Sequence, residues 1–145
     1  MFTAVISIPV VLIGIESGWV KNLVQNSSFE KGGDQSAKSW NTSTWSGDPI
    51  FRIDPGAGRT GNRSAAITSI LGADASWSFR LQVKPNTDYR VSAWIKTDKL
   101  AGGGLGALIN LHELQMEGKS VGLKGDNDWT QVTTEFNSGQ MAPKR

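Results

Sequence analysis

The sequence predicts an all-β sandwich, and three observations carry that expectation. Short runs of alternating apolar and polar residues recur along the chain with turn residues between them. Seventeen glycines and abundant Ser and Thr punctuate it, and no long stretch keeps a helical period. At 145 residues the chain has room for one domain with a real core.

Met1 to Ile15, MFTAVISIPVVLIGI, carries no charge and is too short to span a bilayer comfortably. Two readings stand. As the apolar part of a secretory signal it lacks a basic start and an A-x-A cleavage site. As a β-strand it is favoured by β-branched Val5, Ile6, Ile8, Val10, Val11, Ile13 and Ile15. Residues 1–18 are therefore set apart as an apolar leader, and 19–145 form the predicted sandwich.

Trp19 to Glu30 reads as a strand entering a polar loop, with Phe29 as a core anchor. Lys31 to Thr44 is a loop or loosely paired strand. Ile50 to Asp54 alternates, Pro55 to Gly61 turns, and Arg63 to Ile70 resumes strand character with Ala65 and Ile67 inward. Ser76 to Val83 and Tyr89 to Lys96 are expected to pair as a hairpin about Pro85 and Asn86. On the second of these, Tyr89, Val91, Ala93 and Ile95 share one face, and Arg90, Ser92, Trp94 and Lys96 share the other. Ala107 to Leu114, a short run about Val121 and Leu123, and Trp129 to Phe136 complete the strands. The chain then ends on a loop, which suggests a missing closing strand and an open sheet edge that an N-terminal strand or a second chain could fill.

Composition excludes several classes of function. There are no cysteines, which removes disulfides, thiolate metal sites and cysteine nucleophiles. Fifteen basic and 13 acidic residues leave a net charge of +2 scattered along the chain, so no nucleic-acid footprint is present. Gly118-Lys119-Ser120 lacks the upstream glycine of a phosphate loop, and Asp126-Asn127-Asp128 lacks the glycine and glutamate of a calcium loop. The single histidine, His112, has no adjacent ligand or nucleophile partner. A non-enzymatic chain is expected; a glycosidase would need paired carboxylates, for which Glu113 and Glu135 are the first to check.

Four stretches together resemble a known family. Asn22 to Glu30, NLVQNSSFE, is similar to the N-L-x-x-N-x-x-F-E opening of family 4/9-type carbohydrate-binding modules, with Trp40 following. Gly61 to Ala65 resembles its G-x-x-S strand entry, Val83 to Lys96 its V-x-P-x-T-x-Y-x-x-S-x-W-x-K segment, and Trp129 to Val132 its W-x-x-V strand. The resemblance covers Asn22 to Phe136. It implies a galactose-binding-like jelly roll, here without its closing C-terminal strand, that binds glycans without cleaving them as an accessory domain of a larger secreted protein. It also implies a structural calcium near Glu30, although the acidic pair expected on the final strand has no counterpart.

Sugar recognition needs flat aromatic faces for the C–H side of a pyranose and directed polar groups for its hydroxyls. Five of the six tryptophans divide accordingly. Trp40, Trp77 and Trp129 are assigned to the core; Trp94, on a polar strand face, and Trp45, in a Ser/Gly-rich stretch, are stacking candidates. Arg80, Gln82, Arg90, Asn110 and His112 are the hydroxyl-binding candidates. The expected ligand is a polysaccharide or oligosaccharide, bound outside the cytoplasm, with no membrane span. The competing expectation is a structural or interaction sandwich whose polar sheet face is only solvated and whose Trp94 is covered by a loop.

Overall fold

The computed structural model describes residues 21–114 and 118–139, and for residues 2–14 the backbone path and strand register. It is an all-β arrangement of antiparallel sheets, consistent with a β-sandwich. Among the described residues seven strands are formed: β1 (Phe2–Gly14), β2 (Asn41–Gly47), β3 (Ile50–Pro55), β4 (Arg63–Ser69), β5 (Ala73–Ser78), β6 (Asp88–Leu100) and β7 (Gly125–Asn137). Five make one sheet in the order β3-β4-β1-β6-β7, and β2 pairs with β5 in a second. No helix among the described residues is long and apolar enough to cross a membrane.

Alternation sets the core. Tyr89, Val91, Ala93 and Ile95 are all buried on β6, and cross-strand Val132 on β7 is 1% exposed. On the other side of the sheet Ile53 faces Ala65, again both buried. The second sheet closes over them through Trp77. Its ring meets Phe51 edge-on at 5.7 Å, and its indole N–H donates to the Ala66 carbonyl, which satisfies the polar handle of a buried Trp. Phe29, fully buried, contacts both Trp40 and Trp77, and Trp40 in turn packs on Phe79.

The opening segment departs from expectation. Trp19 and Val20 lie outside the described residues, and Lys21–Glu30 forms turns rather than a strand. Asn26 explains why. It adopts φ 50°, which Asn tolerates, and its amide nitrogen donates to the carbonyls of Lys31 and Lys38 while its Oδ1 accepts the Lys31 amide. A side chain that holds three backbone groups fixes a loop, and it delivers Phe29 to the core.

The expected hairpin from Ser76 to Lys96 is corrected. β5 ends at Ser78 and pairs with β2, whereas β6 pairs with β1 and β7. Phe79, Leu81 and Val83 still pack on the core, so the alternation was real. What it lacked was a partner strand, because the backbone of 84–87 is tied to the end of β7 instead. Asn86 N–H donates to the Gly139 carbonyl, Thr87 N–H to Ser138 Oγ, and Ser138 Oγ to the Lys84 carbonyl.

Ala107–Leu114 is also no strand. It holds two isolated bridges, Ala107 to Leu123 and Asn110 to Lys119, and ends in a 3-10 turn, His112–Leu114. Backbones crowd here: a Cβ on Gly122 would lie 1.8 Å from the Leu105 carbonyl oxygen, and one on Gly106 would lie 2.4 Å from that of Leu123. Such close approach, with Ser120 Oγ accepting the Ile109 amide, takes the place of a regular ladder.

β4 is buried on both faces, and two of its hydroxyls are not satisfied. Among the described residues Ser64 Oγ and Ser69 Oγ have no hydrogen-bond partner, and Ser64 is fully buried. An unmet buried hydroxyl costs about 1–3 kcal/mol. Ser64→Ala is therefore expected to raise stability, by about 1 kcal/mol, in urea unfolding monitored by tryptophan fluorescence.

Candidate functional site

The seven sugar-contact candidates lie on several different elements. Arg90 and Trp94 lie on β6, on the face of the five-stranded sheet opposite the core. Trp45, Asn110 and His112 lie on segments outside that sheet. Arg80 and Gln82, both exposed, follow Ser78, which pairs with Asn41 at the end of the β2–β5 ribbon away from Trp45. Only Trp45 and His112 are in ring contact.

Trp45 sits at a register shift between Thr44 and Ser46, a bulge that re-aims the side chain out of the ribbon's alternation. It is 56% exposed. The ring centroids of Trp45 and His112 are 6.1 Å apart with planes within 21°, so the imidazole props the indole from an offset position and leaves much of it open. Asn110, exposed, lies two residues before His112 and is bridged through its backbone to Lys119.

On the sheet face the candidates already have protein partners. Arg90 Nε pairs with Glu135 at 2.6 Å across the β6–β7 ladder. The Arg59 guanidinium, from the β3–β4 connection, lies 3.4 Å from the centroid of the Trp94 ring. Trp94 is thus half-buried beneath a cation from a loop, a contact worth about 0.5–2 kcal/mol. Glu135 belongs to this face, where it pairs with Arg90, and Glu113 belongs to the 3-10 turn outside the sheet. Trp129, assigned from sequence to the core, is half-buried and does not join the core cluster; it lies in the register shift between Asn127 and Thr130, where β7 leaves regular alternation.

Beside Lys96 the same sheet opens into a shallow cleft of about 510 Å³ lined by Lys96, Thr97, Asp98, Asp126, Asn127 and Asp128. Asp128 holds its proton less readily than an ordinary carboxyl. The Trp129 backbone N–H that it accepts is the largest cause, and Lys96, at 3.3 Å, adds to it. Sequence reading missed this cleft, since its lining comes from a bulged part of β6 and β7 that strict alternation does not describe.

Glu30, expected beside a calcium, has a different set of contacts. Its Oε1 accepts the backbone amides of Asn62 and Arg63 at 2.9 and 3.1 Å. The Arg63 guanidinium donates to the carbonyl oxygens of Glu30, Gly32 and Gly33. Calcium takes six to eight oxygen ligands; here the nearby carbonyls are turned to a guanidinium, and this arrangement does not fit the ion. Gly61 completes the clamp, because a Cβ there would lie 2.1 Å from Glu30 Oε1. Gly61→Ala should push Glu30 off its two amides and lower the melting temperature about as much as Glu30→Gln does; scanning calorimetry of the two variants checks this.

No family model, curated protein or solved structure matches the chain.

Proposed function

We propose that this chain is a non-catalytic carbohydrate-binding module of the galactose-binding-like jelly-roll type, an accessory domain of a larger secreted or cell-surface protein. The observation that supports this reading is the exposed Trp45 ring propped by His112. An indole left about half in water forgoes roughly 2–3 kcal/mol of burial. A pyranose stacked on that ring would recover much of it, and base–aromatic stacking, a comparable contact, is worth about 1–3 kcal/mol per ring. The His112 ring nitrogens and the Asn110 amide supply donors and acceptors for hydroxyls beside the platform.

In this reading Trp45 is the stacking platform, and Trp94, which lies under Arg59, is a structural side chain. Titrating soluble β-glucans, xylans and mannans should change tryptophan fluorescence for at least one class. Trp45→Ala should remove that response while leaving the melting temperature unchanged, and His112→Ala should weaken binding several-fold. Trp94→Ala should keep binding and lose stability. Unchanged fluorescence and heat across the whole panel would overturn the reading.

A structural or interaction sandwich without a glycan ligand is the second reading. The Arg59–Trp94 contact and the Arg90–Glu135 pair favour it for the outer face of the five-stranded sheet.

A further inference from the structure

β1 is the central strand of its sheet. It lies in the middle of the five-stranded sheet, antiparallel to β4 on one side and to β6 on the other. The rest of that sheet consists of two separate pairs, β3 with β4 and β6 with β7. β1 is what joins them. Without it, β4 and β6 would each present a row of unpaired N–H and C=O groups, and a strand entering between them would satisfy both rows at once.

The sequence of β1 carries no charge that would restrict it to its own chain. Phe2–Gly14 holds no charged residue, and charge is the usual device that stops a strand from pairing with a foreign edge. Pairing is broken once, between Ser7 and Val11, around Pro9, which has no N–H to give to a ladder. β1 is therefore paired with β6 in two blocks, Thr3–Ser7 and Val11–Gly14. At both ends of the β1–β4 ladder, which runs from Phe2 opposite Ser69 to Ile6 opposite Ala65, stand the unsatisfied hydroxyls of Ser69 and Ser64.

We infer that the slot between β4 and β6 accepts residues 2–14 of a second copy of this chain, giving a strand-exchanged dimer in which each copy completes the other's sheet. The contacts are those of the single chain made between chains, so the exchanged form differs from the monomer mainly in the entropy of association. A strand tethered to its own slot has an effective concentration in the millimolar range. Exchange is therefore favoured when the chain is concentrated and β1 is transiently released.

The test uses the absence of native cysteine and the register of Thr3 opposite Asp98. Full-length Thr3→Cys and Asp98→Cys variants are mixed at about 1 mM, opened in urea near the midpoint of unfolding, returned to buffer and oxidised. The expected product is a disulfide between position 3 of one chain and position 98 of the other, seen on a non-reducing gel and by mass spectrometry. It should be roughly tenfold more abundant than in a mixture that was never opened. The double variant Thr3→Cys/Asp98→Cys, kept dilute, should close the same bond within one chain. If the double variant closes but the mixture yields no 3–98 link between chains, the slot takes only its own strand and the inference is wrong. Failure of the double variant to close would place β1 elsewhere and overturn it as well.

Discussion

Replacing Phe29 by alanine is expected to destabilise the chain by about 3–5 kcal/mol, the range for removing a fully buried aromatic ring. Phe29 is 0% exposed and lies between Trp40, at 4.6 Å between centroids, and Trp77, at 6.4 Å. The ring cannot be replaced by local collapse, because its backbone is held at φ 59° by the Asn26 turn, whose carbonyl accepts both the Phe29 amide and the Trp40 indole N–H. Urea unfolding should show a lower midpoint with an unchanged slope, and the emission of the folded state should shift as Trp40 and Trp77 lose their shared neighbour. A loss below about 1 kcal/mol would mean that the opening segment does not seal the core.

The second large effect is expected at Arg63. Its guanidinium ties the Glu30, Gly32 and Gly33 carbonyls to the start of β4, and hydrogen bonds from a charged donor are worth more than neutral ones. The site is partly open to water, which screens the charge. Arg63→Ala should therefore cost about 2 kcal/mol rather than the sum of three such bonds, which for a chain of this size lowers the melting temperature by roughly 8 °C. Arg63→Lys should recover only part of this, since one ammonium cannot reproduce the planar fork. Added calcium or a chelator should leave the wild-type melting temperature where it is; a rise with calcium that Glu30→Gln abolishes would restore a metal to the loop.

The parts of the fold legible in the sequence are those decided by neighbours along the chain. Tyr89 to Ile95, Val132 and the Ile53–Ala65 pair follow from period-two alternation, because each residue's face depends only on the one before it. Partner choice does not. Phe79, Leu81 and Val83 alternate as well as any strand here, yet they lie along a segment whose polar backbone is claimed by Ser138 and Gly139, some fifty residues away. Nothing local to either segment announces that competition.

The same distinction governs the candidate site. Trp45 and His112 could be picked out as chemically suitable, but their meeting depends on a bulge in β2 and a 3-10 turn far along the chain. Trp94 could be read as an indole on a polar face; that a guanidinium would lie over it required Arg59 to be delivered by the glycine-rich β3–β4 connection. In the Asn26 to Glu30 stretch, by contrast, the resemblance to a known opening motif acquires physical content. Asn26 holds the loop, Phe29 fills the core, and Glu30 anchors the entry to β4.

The β2–β5 ribbon has a consequence for how a ligand would be met. A two-stranded sheet shields its amides far less than the middle of a five-stranded one, and Trp77 is the buried side chain that fastens it to the core. Amide hydrogens of Asn41–Gly47 should exchange with solvent orders of magnitude faster than those of β6, opening in a local unit of their own. Trp45 therefore rides on a less protected element than the five-stranded sheet. A bound partner would slow exchange there first, making the ribbon its own reporter of occupancy.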